Sequence, residues 1–168
     1  SAATYYTSAG LLASNASTAR ISYTPSNLSV APKLLLEGAA TNLAIYSEDP
    51  SNAAWTKENT AITSNSIVAP DGATTGDTLT TSAGASPHRD YLTAGYTATA
   101  AAYTVSIFAK AGTQSWLGLS FSGNTASTDG AYFNVSTGVI GTVASGTTAT
   151  IQYVGNGWYR CSITKTLT

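Results

Sequence analysis

Residues able to do chemistry are few in this chain. His88 is the sole histidine, and it stands in the polar stretch Ser86-Pro87-His88-Arg89-Asp90. A nucleophilic triad would have to be built around it, because neither the cysteine nor any lysine has an activating neighbour in the sequence. There is no nucleophile-elbow phrase and no glycine-rich phosphate loop. The carboxylates are Glu37, Glu48, Asp49, Glu58, Asp71, Asp77, Asp90 and Asp129. Two of them could flank a glycosidic bond, but acidic residues beside Gly, Pro and Asn are more often turn formers. One His and one Cys cannot complete a closed zinc set. Calcium asks less, since carbonyls and one or two carboxylates suffice. Glu48 and Asp71 are the residues that could serve a structural calcium ion; no other cofactor is expected. Cys161 has no partner for an intramolecular disulfide, and its place in an alternating pattern marks it as a small buried hydrophobe. These residues predict no enzyme.

Aromatic side chains are the informative class. A sugar ring has an apolar face edged with hydroxyls, so a glycan site pairs a Trp or Tyr platform with a few polar groups. Tyr91, Tyr96, Trp116, Tyr132 and Tyr153 fall on strand or loop positions that could serve. Trp55 and Trp158 read instead as core plugs, the first ending a short turn and the second opening a strand. Three sequons, at Asn15, Asn27 and Asn134, matter only in a eukaryotic secretory setting.

The composition narrows the partners. Only 9% of the residues are charged and the net charge is −1, against about 25% charged in an ordinary soluble domain. Ser and Thr make up 49 of the 168 residues, so the surface is hydroxylic rather than ionic. No basic run offers a footprint for nucleic acid. No stretch approaches the roughly 20 apolar residues of a membrane helix, and no signal-peptide pattern opens the chain. Disorder is disfavoured, because Thr, Tyr, Val and Ile suit a pleated, half-buried surface.

The elements that must carry these residues are strands. Residues 1–43 are irregular, with Tyr5-Tyr6, Leu11-Leu12, Ile21 and Leu34-Leu35-Leu36 as short apolar patches interrupted by Pro25 and Pro32. They read as an extended anchoring arm, with Leu34, Leu35 and Leu36 available for assembly. Residues 44–168 read as one domain. Strands are predicted over 61–68, 76–81, 103–110, 115–121, 131–135, 139–143, 148–154 and 158–164. In 103–110, Tyr103, Val105, Ile107 and Ala109 share one face. In 115–121 either Leu117, Leu119 and Phe121 or the opposite face led by Trp116 points inward. Turns fall at Pro70-Asp71-Gly72, Ser136-Thr137-Gly138 and Gly155-Asn156-Gly157. One helical turn is expected over 49–55, with Asp49 as N-cap and Pro50 at the first helical position. Short strands and turn signals every 8–12 residues predict an all-β sandwich or barrel of antiparallel sheets.

Several phrases, in order, carry a resemblance. They are the Arg20–Tyr23 phrase RISY, Lys33-Leu34-Leu35-Leu36 leading into EGAATNLAIYSEDPSNAAW, then APDG at 69–72, FAKAG at 108–112, FNVSTG at 133–138 and GNGWYRCSI at 155–163. The combination covers nearly the whole chain and resembles modules of bacteriophage virion proteins, such as head-fibre and tail-fibre associated parts. Their fold is similar to that of carbohydrate-binding-module jelly rolls. The resemblance implies a jelly-roll β-sandwich on the virion surface, contacting other virion proteins, in a homo-oligomer, with host-surface carbohydrate as a further partner. It also implies further strands after 158–164; either the sequence stops short of them or another chain supplies the missing sheet edge. A carbohydrate-binding module of a secreted or viral glycan-active protein is the alternative.

Overall fold

The structure, a computed structural model, describes residues 3–6, 12–15, 20–22, 33–35, 41–84, 87–122 and 126–167. For the four strands before residue 41 only the backbone is described. β1 (Ala3–Tyr6) pairs antiparallel with β2 (Leu12–Asn15), and β3 (Arg20–Ser22) pairs antiparallel with β4 (Lys33–Leu35). The stretch read as an extended arm thus holds two short strand pairs. Leu34 and Leu35 lie on β4, opposite Ile21 and Arg20; Leu36 lies outside the described residues.

The chain is nearly all β, and it divides into two compact units with the boundary between Tyr96 and Thr97. That boundary falls inside the stretch 44–168 read as one domain, and each ladder has both its strands in the same unit.

In the first unit β5 (Trp55–Glu58) pairs antiparallel with β8 (Arg89–Leu92), and the hairpin of β6 (Thr60–Ile67) and β7 (Gly76–Thr81) is inserted between them in sequence. A register shift between Thr63 and Ile67 marks a bulge in β6. Asn65 sits there at φ 52° and donates its amide to Asp77 Oδ1 at 2.8 Å, which satisfies the group that the bulge removes from the ladder.

The expected helical turn over 49–55 is instead a run of hydrogen-bonded turns. The amides of Asp49, Asn52 and Trp55 donate to the carbonyls of Tyr46, Asp49 and Asn52. Side chains explain why no helix forms. Asp49 accepts from the Ser51 hydroxyl and Asn52 Oδ1 accepts the Ala54 amide, so each turn is closed by a local side chain rather than by the next helical bond.

The second unit contains β9 (Ala101–Lys110), β10 (Trp116–Ser120), the single turn α1 (Ala126–Asp129), β11 (Gly130–Asn134), β12 (Val139–Val143), β13 (Thr147–Gly155) and β14 (Trp158–Leu167). Two three-stranded antiparallel sheets result, in the orders β10-β11-β12 and β13-β14-β9. Their facing sides make the core. Leu119, Ala131, Phe133 and Val135 come from the first sheet and its exit, and Cys161 and Ile163 from β14. Leu117, Phe121, Ile140, Ile151 and Tyr159 pack around them. Strand alternation therefore resolves in favour of the Leu117–Leu119–Phe121 side, and Trp116 faces outward.

Turn chemistry fixes the registers. Gly155 pairs with Trp158, leaving Asn156 and Gly157 as a two-residue connection at φ 52° and 80°. Two positive values in succession match the right-handed twist of the flanking strands, which is why Asn-Gly is favoured there. At the β11–β12 connection, Asn134 Oδ1 accepts the amides of Ser136 and Thr137, and Gly138 donates to the Asn134 carbonyl.

Cys161 is fully buried, and burial pushes its thiol up to about 11. A thiol with that environment reacts only when the core around it opens. A chromogenic disulfide reagent is expected to leave Cys161 unmodified in native buffer and to titrate one thiol per chain in denaturant. Rapid native labelling would contradict the burial.

Candidate functional site

The outer face of the β10-β11-β12 sheet is set by the core beneath it. Because Leu117, Leu119, Ala131 and Phe133 point inward, the alternating positions Trp116, Gly118, Tyr132 and Asn134 point out. Trp116 pairs across the ladder with Asn134, and Gly118 with Tyr132. Val139 pairs with Asn134 on the third strand and shares the same face.

Two glycines allow the rings to lie close on the sheet. A Cβ at Gly141 would come within 2.7 Å of Trp116 Cζ3 and 3.4 Å of Tyr132 Cβ. A Cβ at Gly118 would come within 3.1 Å of both Tyr132 Cε1 and Ala126 Cβ. The Trp116 ring therefore covers Gly141 while the Tyr132 ring covers Gly118. Tyr132 is partly buried by this seating, whereas Trp116 keeps 55% of its surface exposed and Val139 keeps 53%. The result is an uncharged aromatic shelf on a rigid sheet. Its chemistry is stacking: an indole face held in place by backbone offers contact to an apolar ring face with little ordering cost on the protein side.

The remaining aromatic candidates lie elsewhere. Tyr153 is on β13 in the other sheet, edge-on to Tyr159 at 5.3 Å and 63°. Its hydroxyl accepts the Gly157 amide at 3.3 Å, which makes it a brace for the Asn-Gly hairpin. Tyr91 lies on β8 in the first unit under the guanidinium of Arg89, 5.5 Å from the ring centre. Tyr96 is exposed in the loop after β8. Of the five aromatic candidates, the structure brings Trp116 and Tyr132 together. Trp158 is buried, as read from the sequence. Trp55 is only half-buried, and its indole N–H donates to the Tyr46 carbonyl at 3.0 Å.

Neither carboxylate considered for calcium stands in a ligand cluster. Asp71 Oδ1 accepts the Ala73 amide at 2.9 Å within its turn, and Glu48 is exposed. Among the described residues no three His, Cys, Asp or Glu side chains gather as a metal would need. His88 Nε2 is engaged with the Ser82 carbonyl at 2.8 Å. Among the described residues no helix is long and apolar enough to cross a membrane.

No motif in the sequence points to the arrangement around Lys57. Its ammonium donates to the carbonyls of Ser51, Asn52 and Trp55 at 3.0, 2.6 and 2.9 Å, which ties the turn run 44–55 to β5. Asp90 is its cross-strand neighbour, yet Asp90 Oδ1 is buried with no hydrogen-bond partner. Burial raises the Asp90 carboxyl above its ordinary range, and the charge of Lys57 offsets this only in part. Asp129 is the opposite case. Burial works against its charge too, but hydrogen bonding from Ser122 and the Lys165 ammonium at 3.1 Å hold its carboxyl low.

No protein-family model, no curated protein and no solved structure matches the chain.

The two aspartates give opposite pH signatures. A raised folded pKa means that ionising Asp90 costs stability at neutral pH, and that this cost fades as pH falls through the raised value toward the ordinary carboxylate range near about 4. Asp90→Asn is therefore expected to raise the melting temperature at pH 7 and to lose that advantage in acid. Asp129→Asn is expected to lower it at pH 7, because stability from a depressed carboxyl is present above the ordinary range and lost as pH falls through the folded value. Thermal melts from pH 3 to 8 check both; an Asp90→Asn variant less stable than the parent at pH 7 would refute the assignment.

Proposed function

We propose that this chain is a non-enzymatic structural and display module of a bacteriophage particle, of the jelly-roll type, carried on the virion surface as a head-fibre, capsid-decoration or tail-fibre domain. In this role it works alongside other virion proteins and as one of several copies, and it aids attachment by contacting host-surface glycan. The ordered set of phrases from RISY to GNGWYRCSI supports the virion setting. The observation that carries the glycan contact is the shelf of Trp116 and Tyr132 seated on Gly141 and Gly118. A single aromatic shelf binds weakly, and many copies on one particle convert weak contacts into avidity. The same observation also favours the second reading, a carbohydrate-binding module attached to a glycan-active protein.

The test is a glycan array probed with the chain displayed multivalently, followed by titration of any hit against the untethered chain. Binding is expected to be weak for the single chain and to fall by roughly tenfold or more in Trp116→Ala, equivalent to about 1.4 kcal/mol or more. Trp116→Ala leaves the core untouched, and its melting temperature serves as the folding control. Glycan binding that survives unchanged in Trp116→Ala and in Tyr132→Ala would move the contact away from this shelf. The absence of any bound glycan would remove it.

A further inference from the structure

The connection between β13 and β14 is Asn156-Gly157, and Asn156 is the one asparagine of nine in the chain that is followed by glycine. In an open chain such a pair readily loses its side-chain amide, because no Cβ shields the glycine nitrogen. The Gly157 nitrogen attacks Asn156 Cγ and gives its proton to hydroxide, and the new N–Cγ bond closes a five-membered imide. The Cγ–Nδ2 bond breaks, and Nδ2 takes a proton from water and leaves as ammonia, which regenerates the hydroxide. Water then opens the imide at either carbonyl and leaves aspartate or isoaspartate at position 156. The folded hairpin opposes the first of these steps in three ways. Asn156 is left-handed, at φ 52°. At such a residue Cβ lies beside its own carbonyl oxygen, so the Gly157 nitrogen, on the other side of that carbonyl, points away from the Asn156 side chain. The Gly157 N–H is also engaged, donating to the Tyr153 hydroxyl at 3.3 Å. The Tyr153 ring is steadied by Tyr159, its cross-strand partner, edge-on at 5.3 Å. Finally, the Lys110 stem lies against Gly157: a Cβ there would come within 3.2 Å of Lys110 Cε and 3.8 Å of Cδ.

We propose that Asn156-Gly157 is a self-modification site that the fold holds closed, with Tyr153 as the positioning residue that keeps the Gly157 nitrogen from reacting. Ring closure requires the Asn156 carbonyl to swing about its Cα–C bond, and that motion breaks the Tyr153 hydrogen bond and the two-residue turn together. Conversion is thus gated by local opening of the β13–β14 hairpin rather than by exposure of the turn. The two products differ in consequence. Asp-Gly suits the same turn, so aspartate keeps the hairpin and adds only a charge. Isoaspartate routes the main chain through the side-chain carbon and lengthens a connection whose length sets the register, which shifts Gly155 from its place opposite Trp158. Trp158 is buried, so a change in the turn reaches the core of the second unit. Every part of the site lies on β9, β13 and β14, within that one unit. This sheet does not carry Trp116 and Tyr132, so the proposal stands or falls separately from the glycan shelf.

Peptide mass mapping of the full chain during incubation in mildly alkaline buffer, with and without guanidinium chloride, tests it; isoaspartate is counted by enzymatic methyl transfer to its carboxylate. Asn156 is expected to convert roughly tenfold or more slowly in native buffer than in denaturant. Tyr153→Phe keeps the ring and removes the hydroxyl. It is expected to speed native conversion roughly threefold to tenfold and to leave the rate in denaturant unchanged. Thr150→Ala controls for general weakening of the hairpin, since it removes the Thr150–Ser162 hydroxyl contact at 2.6 Å between the same two strands without touching Gly157. Its acceleration is expected to be smaller than that of Tyr153→Phe. Native conversion as fast as in denaturant, or no conversion at Asn156 in denaturant, overturns the proposal. So does equal acceleration in the two variants, which would make Tyr153 one structural contact among many.

Discussion

The second unit depends on a thin apolar layer in which Phe133 from one sheet meets Cys161 and Ile163 from the other, all three fully buried. Each large side chain removed from water there contributes roughly 1.5–3 kcal/mol, and net stabilities of whole domains are only about 5–15 kcal/mol. A handful of side chains therefore sets the register of six strands. Once Phe133 is inward, Tyr132 and Asn134 must be outward. Once Leu117 and Leu119 are inward, Trp116 and Gly118 must be outward. The aromatic shelf is thus a consequence of the core, positioned by the same alternation that buries Phe133. The first unit is organised differently: its described residues include no buried apolar side chain. Polar devices hold it instead, among them the caging of the Lys57 ammonium by three carbonyls and the indole of Trp55 on the Tyr46 carbonyl.

The shortage of charge has a structural counterpart. Beside the oppositely charged partners of β5 and β8, Lys57 with Asp90 and Glu58 with Arg89, hydroxyls meet hydroxyls across strands. Thr150 meets Ser162 at 2.6 Å, Thr104 meets Thr164 at 2.8 Å and Thr56 meets Thr93 at 2.7 Å. Such cross-strand pairs contribute roughly 0.2–1 kcal/mol each. Unlike surface ion pairs, they are not screened by salt. On the outer face of the β13-β14-β9 sheet these hydroxyls share the alternating positions with Arg160, Phe108 and Lys110.

Local signals were legible in the sequence and non-local ones were not. The strands Gly76–Thr81 and Val139–Val143 could be read to the residue, because each is bounded by glycine and turn chemistry that leaves no other choice. The Asn156-Gly157 hairpin was equally plain. β5 and β8 were missed, since WTKE and RDYL have no alternating apolar pattern and pair across about thirty intervening residues. The helical turn was expected at 49–55 and is found at Ala126–Asp129. Asx-type bonds from Asp49 and Asn52 compete with the helix at the first position, whereas Ala126 is buried against Gly118 at the second. At the site, residue type alone placed five aromatics on one footing. Only the fold separates Tyr153, which braces a hairpin, and Tyr91, which lies under Arg89, from the pair that forms a surface.

The glycines beneath that pair bear on its purpose. A strand-interior glycine weakens a sheet because it has no side chain to pack and more freedom to lose. A ring laid over it restores part of the contact, so Trp116 over Gly141 and Tyr132 over Gly118 can be explained as repair. Repair, however, calls for no more than a valine at position 141 and a small residue at 116, which would suit the strand better and expose less apolar area. The arrangement present leaves a half-exposed indole where the sheet did not need one. It also keeps Asp and Glu off the paired positions around it, where Asn134, Val139 and Gly118 stand. These paired positions carry no charge. In the reading proposed above, a flat, apolar ring face with hydroxyls at its margin is what stacks on the indole.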